Sequence, residues 1–264
     1  MSVGRPNETL LRQQLAQACQ RIWQRGWVAN HDGNGSVRLS RERILCTPTA
    51  VSKADITPTN LLILGSGGRV LSGEGRPFSE LALHIAYYQA RPDVQVVLHC
   101  HSPYATALGL TGTDLGQPRL PEAVVSLGPF VPTVPLASPG QDAVHAIVPY
   151  LAAHDVLLLV GNGVLAVGDS VEQAYLRLEL VEHLCRIEAA SRQFGQPGEL
   201  PASMVSGLLK ARQRAGLGPE ARGLIPPADA AAIGRQAGTE RNGQDASALQ
   251  ALVRREVARV IKGG

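Results

Sequence analysis

The residues best suited to chemistry lie in the stretch PDVQVVLHCHSPYA, residues 92–105. Five of the seven residues at 94–100 are aliphatic or Cys, the pattern of a strand buried on at least one face. It ends in His99-Cys100-His101. Side chains alternate across a strand, so imidazoles at i and i+2 leave the same face two residue rises apart, close enough to share one divalent cation. The same pair can instead hydrogen-bond to a neighbouring loop, and the spacing alone leaves both readings open. Upstream, Glu80 and His84 stand at i and i+4 where a helical pattern begins, so they share a face. A Glu there commonly just complements the helix dipole, and such a His commonly just packs. This helix, however, ends at Arg91-Pro92 and leads directly into the His99 strand. A tight return from helix to strand would bring Glu80 back toward the two rings, because the helix start and the strand end then lie on the same side of the layer.

Two loops carry a second kind of chemistry. In Asn30-His31-Asp32-Gly33-Asn34-Gly35-Ser36, a Gly on each side of Asn34 permits positive φ and exposes backbone N–H groups, which suits an anion; the same residues also make an ordinary turn. Thr47-Pro48-Thr49-Ala50-Val51-Ser52 is again rich in small hydroxyl residues, and two such loops can converge on one ligand. Gly65-x-Gly67 is followed by strand-like residues where a dinucleotide fingerprint needs a helix, so that reading fails its context.

The elements that must position these groups follow from periodicity and punctuation. A helix is expected over 8–24, capped by Asn7, stopped by Gly26, with Leu11, Leu15, Cys19 (or Ala18) and Ile22 on one face. Strands are expected to about residue 39 and over 43–47, then a hairpin of 61–64 with 69–71 across Gly65-Ser66-Gly67-Gly68. Ser79 is expected to cap a helix reaching residue 90, with Leu81, Ile85 and Tyr88 as its apolar stripe. After the His99 strand come helices at 104–110 and 142–153, then strands at 155–160 and 164–168 flanking Gly161-Asn162-Gly163. Ser170 and Gln173 form a capping box for the longest helix, 171–190, whose Ala174, Leu178, Val181 and Cys185 make a buried seam. A further helix is expected over 202–215. Residues 1–210 read as one domain, 211–244 as a linker or weakly ordered arm, and 245–264 as an amphipathic helix. Leu249, Val253, Val257, Val260 and Ile261 are its stripe, which needs a partner surface.

Composition narrows the function. The 264 residues are 44% hydrophobic but only 4% aromatic, so aliphatic side chains and Ala fill the core. A net charge of +3, with Lys and Arg dispersed until the last third, gives no nucleic-acid footprint. Cys19, Cys46, Cys100 and Cys185 are far apart, without C-x-x-C, which argues against a disulfide framework or a Cys-rich zinc site. The polar N-terminus lacks a signal-peptide pattern, and the apolar runs are too short to span a bilayer. The expectation is a cytoplasmic protein without membrane contact.

Three stretches taken together resemble the class II aldolase/adducin family: Gly33-Asn34-Gly35-Ser36 with Thr47-Pro48-Thr49, Ser79-Glu80 leading to His99-x-His101-Ser102, and residues 157–168 ahead of the long helix. The resemblance covers residues 10–190. It implies an α/β fold, a three-layer α/β/α sandwich around a largely antiparallel sheet. It also implies a homotetramer with active sites between subunits and a divalent metal, usually Zn2+, with Fe2+ or Mn2+ as alternatives. His99 and His101 match metal-ligating histidines, Glu80 matches the carboxylate that ligates the resting metal and moves protons, and Gly33, Asn34, Thr49 and Ser79 match positions that hold a substrate phosphate. Two positions depart from the pattern. The third metal histidine is replaced by Asn162, whose neutral amide is a poorer zinc donor; His31 is the one local substitute, since His154 lies at the far end of a strand. Ala50 and Phe78 replace a usual glycine and serine of the phosphate pocket.

The resemblance implies a metal-dependent aldolase cleaving a sugar phosphate or related hydroxy-carbonyl compound, with Glu80 as proton carrier. Two histidines and one carboxylate are also the facial triad of non-haem iron oxygenases, and adducin-like members act as binding modules without catalysis. The C-terminal helix resembles tails that package enzymes in bacterial microcompartments by docking a shell or scaffold protein; the alternative is a helix that extends the tetramer interface.

Overall fold

The computed structural model describes residues 7–112, 115, 119–218 and 220–223. The helix expected at 245–264, and the arm beyond residue 223, lie outside the described residues. In chain order the elements are α1 (Glu8–Gln24), β1 (Asn34–Arg38), β2 (Ile44–Cys46), β3 (Leu62–Leu64), β4 (Val70–Ser72), α2 (Leu81–Ala90), β5 (Val96–Cys100), α3 (Pro103–Leu110), α4 (Pro121–Leu127), β6 (Thr133–Val134), α5 (Gln141–Ile147), β7 (Val156–Leu159), β8 (Val164–Gly168), α6 (Val171–Ser191) and α7 (Ala202–Arg214).

The described strands form one sheet in the order β4-β3-β2-β1-β5-β8-β7-β6. Every pairing is antiparallel except β6 with β7. Strand alternation then decides the layers. Val96, Leu98 and Cys100 of β5 join the core that holds Leu15 of α1 and Leu178 of α6, whereas Val97 joins the core that holds Leu83 and Tyr87 of α2. His99 therefore faces the α2 layer. The α/β/α sandwich and its largely antiparallel sheet are as expected, and none of the described helices is long and apolar enough to cross a membrane.

Local signals account for most boundaries. The Asn7 side chain accepts from Leu10 N–H at 3.3 Å, and Gly26 takes φ +68 just past the end of α1. Ser170 accepts from Gln173 N–H at 3.2 Å; the return bond of Gln173 goes to Asp169 N–H at 3.0 Å. Three expectations are corrected. Ser79 does not cap α2: the cap position is Glu80, whose side chain makes no capping bond. Nor does α2 carry a single stripe, because every residue from Leu81 to Tyr88 is buried between the sheet and α5. Finally, α5 stops at Ile147, where Pro149 forces a 3-10 turn over Val148–Tyr150.

One ionic web ties the layers together. Asp155, at the entrance of β7, is fully buried and meets Arg91 at 2.9 Å, Arg177 at 2.7 Å and Arg212 at 3.3 Å. These arginines come from the end of α2, from α6 and from α7, which runs to Arg214.

Candidate metal and catalytic site

The site begins with a register. Asn34 of β1 pairs directly with His99 of β5, so their side chains stand next to each other on the face toward α2. Along β1, Asn34, Ser36 and Arg38 share that face; along α2 and its cap, Glu80, His84 and Tyr88 follow at four-residue steps. Two residues of strand and four of helix advance the chain by nearly the same distance, about 6 to 7 Å. The result is a polar ladder. Asn34 Nδ2 donates to Glu80 Oε2 at 2.9 Å, Ser36 Oγ lies 2.8 Å from His84 Nδ1 and 2.7 Å from Tyr88 Oη, and Arg38 donates to the Tyr88 carbonyl at 2.9 Å. This is how α2 delivers its first carboxylate to the strand end.

There Glu80 Oε2 is 3.2 Å from His99 Nε2, and His99 Nε2 is 3.2 Å from His101 Nε2. His99 Nδ1 donates to the Val164 carbonyl at 3.0 Å, and His101 Nδ1 faces Asp32 Oδ2 at 3.3 Å. Each ring therefore turns Nε2 inward with its other nitrogen engaged, the arrangement that fixes the tautomer of a metal-binding histidine. Tetrahedral bonds of about 2.0 Å set neighbouring donor atoms about 3.3 Å apart. Both 3.2 Å separations match that edge, so each of these donor pairs is spaced to share a divalent cation. Among the described residues no three His, Cys, Asp or Glu side chains surround a common point. The imidazole pair is thus the part already in ligand geometry, and Glu80 meets it at His99.

Glu80 is held from its other side too. Asn162 Nδ2 donates to Glu80 Oε1 at 2.6 Å, and the same side chain lies beside His101. Its backbone is set by Gly161 and Gly163, both at φ +71. A Cβ at Gly163 would lie 2.2 Å from the Cys100 carbonyl, so only glycine lets this turn approach the His99-x-His101 end. Burial pushes the Glu80 carboxyl upward, but His99 and the Asn162 and Asn34 amides outweigh it and hold it below the ordinary range. Burial, reinforced by His99, lowers His101 and takes His84 down to about 3. The site thus holds an ionised carboxylate beside the His99 ring.

The other expected residues are placed as follows. Gly33, at φ +72, abuts the His99 carbonyl, where a Cβ would come to 3.0 Å. Thr49 N–H donates to the Arg76 carbonyl at 2.9 Å, and Pro48 bridges Pro77, so the Thr49 loop and the loop bearing Ser79 are tied together beside Glu80. Phe78 is buried against His84, with ring centroids 4.8 Å apart, and presents no donor to a phosphate. Ala50 takes φ +59, a glycine's conformation. His31 is exposed, its carbonyl accepting from Lys53 at 3.3 Å; its neighbour Asp32 is the residue that reaches His101. His154 packs against Phe130. The sequence reading missed Asp32 and the Ser36–His84–Tyr88 rungs. A two-against-four spacing between a strand and a helix would have flagged the rungs, but only with the pairing known.

A family model described as Class II Aldolase and Adducin N-terminal domain matches residues 13–189. The chain belongs to the class II aldolase and adducin family. Among its relatives, 3-oxo-tetronate 4-phosphate decarboxylase of Escherichia coli (strain K12) is 30% identical over 185 residues, 68% of this chain and 86% of that protein. The 5-deoxy-D-ribulose 1-phosphate aldolase of Bacillus thuringiensis serovar kurstaki is 26% identical over 202 residues, 75% and 93% of the two. The crystal structure of YgbL from Escherichia coli superposes with a TM-score of 0.70 at 28% identity, covering 76% of this chain and 98% of that one. In this class II aldolase family member the turn between β7 and β8 carries Asn162, whose amide reaches Glu80.

Proposed function

We propose that this chain is a metal-dependent carbon–carbon lyase that cleaves a phosphorylated sugar or related hydroxy-carbonyl compound by retro-aldol chemistry. Zn2+ is the metal we assign, with Fe2+ and Mn2+ as the alternatives. The observation that carries the reading is the position of Glu80, clamped by Asn34 and Asn162 and 3.2 Å from a histidine pair in ligand geometry. Among the relatives, the names decarboxylase and aldolase describe reactions that leave an electron pair on the carbon beside a carbonyl.

His99 and His101 would hold the cation, with the Asn162 oxygen or Glu80 completing the set. A bound divalent cation supplies Lewis-acid stabilisation of the negative charge that builds on the carbonyl oxygen. The chain's own residues do the rest. Asp32 and the Val164 carbonyl keep both Nε2 atoms unprotonated and aimed inward. Asn34 and Asn162 keep Glu80 ionised, so it enters the reaction as a base and moves the proton at the reacting carbon. Gly33, Asn34, Thr49 and Ser79 line the approach where a phosphate would be held. The Asn34 Oδ1 atom is buried without a partner, an acceptor suited to a substrate hydroxyl. We further propose a homotetramer. Supporting it, Leu110, close to Gly161, is exposed at 66% in the isolated chain.

The test is elemental analysis of purified protein with a cleavage assay on a panel of ketose 1-phosphates, repeated on Glu80→Gln. The expected result is a retained metal and a loss of cleavage of at least about a hundredfold, the lower end of what a positioned acid–base group contributes. Unchanged turnover in Glu80→Gln, or bound iron with oxygen consumption and no cleavage, would end the proposal.

A further inference from the structure

Beside Glu80 the surface opens into a cleft of about 420 Å³ between α2, α5 and the turn joining β7 to β8. At about 30 Å³ per water it has room for roughly fourteen waters, far more than a proton transfer needs. Its character changes sharply along its length. Ser79, Glu80 and Asn162 form the polar end, and beyond them the wall is Leu83 of α2, Ala143, Ala146 and Ile147 of α5, and Leu159 of β7, with Leu136 on its rim. Alanine at two positions of the α5 wall keeps the space open. Among the described residues lining it, Glu80 is the sole charged group. No cation is present to receive a phosphate there, and the carboxylate would repel one, so the anionic end of a substrate must lie on the other side of Glu80, toward Gly33 and Thr49.

We infer that this cleft holds an alkyl or aryl substituent on the fragment of the substrate released as the aldehyde. The inference rests on the lyase reading and narrows its substrate class to compounds with an apolar group beyond the bond that breaks. In that cleavage the bond between the α and β carbons breaks and its electron pair stays on the α carbon. The β-hydroxyl loses its proton as its carbon becomes the aldehyde, and a proton returned to the α carbon completes the other product, so no oxidant or reductant enters. Polyhydroxylated leaving fragments would lose hydrogen bonds to water on entering an apolar wall without recovering them; an alkyl chain gains by the same transfer.

The experiment uses the zinc-loaded full-length protein and a series of alkyl hydroxamates from acetohydroxamate to octanohydroxamate, whose head chelates zinc while the tail lengthens. Calorimetry is expected to show affinity rising about fourfold per methylene, or about 0.8 kcal/mol, until the cleft is filled. Ala146→Phe should cut that gain to less than twofold, and Ala146→Leu, a milder filling, should fall between. A second arm needs no metal: 1-hexanol should bind the wild type and not Ala146→Phe in ligand-observed NMR. Affinity independent of chain length, or a slope untouched by either variant, overturns the inference while leaving the lyase reading in place. Hexanol binding without any acetohydroxamate binding removes the lyase reading, and with it the assignment of the cleft to substrate. A change of oligomeric mass in Ala146→Leu with the hydroxamate slope intact gives the cleft to a second copy of the chain instead.

Discussion

Asn162 Nδ2 donates to Glu80 Oε1 at 2.6 Å, from the side of the carboxylate opposite the Asn34 donor. Asn162, which the resemblance puts at the family's third histidine position, is therefore already at the site, beside Glu80. Because Gly161 and Gly163 set the turn, Asn162→His leaves the backbone conformation alone and exchanges an amide for an imidazole. Zinc affinity is expected to rise about tenfold or more, on the scale of other changes around zinc ligands, read by competition with a chromophoric chelator. An unchanged affinity would mean that the turn aims residue 162 away from the cation.

Ser36 joins two rungs of the ladder, so removing its hydroxyl strands both His84 Nδ1 and Tyr88 Oη in a buried space. Ser36→Ala is expected to cost about 2–4 kcal/mol in urea unfolding, from two unsatisfied buried groups at about 1–2 kcal/mol each. Tyr88→Phe, which leaves the His84 rung, should cost less than half as much. Equal costs would show that the rungs do not act through Ser36.

The sequence showed the site's chemistry more fully than its architecture. The His99-x-His101 spacing, the Glu80 helix and the Asn7 and Ser170 caps are local features, governed by strand alternation, helical periodicity and side-chain capping, and each is seen in the fold. The layer carrying Glu80 was less legible: α2 is buried all round, so no periodic stripe marks it, and its ladder to β1 depends on a pairing of residues about fifty positions apart. Asp32 was invisible for the same reason. Nothing near it in the chain signals a histidine partner, and only the antiparallel pairing of β1 with β5 brings their ends together.

Backbone conformation separates two kinds of small residue here. Gly163→Ala would drive a Cβ to 2.2 Å from the Cys100 carbonyl and 2.8 Å from His101 Cα, both backbone atoms that cannot yield. A loss of more than about 3 kcal/mol is expected, with displacement of Asn162. Ala50→Gly has the opposite sign. At φ +59 alanine is strained, and glycine should raise stability by about 0.5–1 kcal/mol, the relief exceeding the entropy glycine adds to the unfolded chain. Thermal unfolding of the two variants, measured together, checks both signs.

The last prediction concerns acid. Burial pushes Asp155 upward, but Arg177, Arg91 and Arg212 outweigh it, so its folded value lies below the ordinary carboxyl value. Burial likewise opposes, and the bonds to Arg91 and Arg222 overcome, at Asp93, which falls to about 2. Groups depressed in the folded state bind protons more readily when unfolded. The stability they confer is complete above the unfolded value near 4 and is lost as pH falls through the folded values. Unfolding free energy contributed by this web should thus be flat from pH 7 to 5 and drop between about pH 4 and 2. Asp155→Asn removes one partner of a buried ionic cluster and leaves three guanidinium groups facing an amide, at a cost of about 3–5 kcal/mol at pH 7. Its acid limb should be shallower than that of the wild type, since one of the titrating carboxylates is gone. Urea titrations at half-unit steps of pH make the comparison, and parallel acid limbs would show that Asp155 is not among the groups whose protonation unfolds the protein.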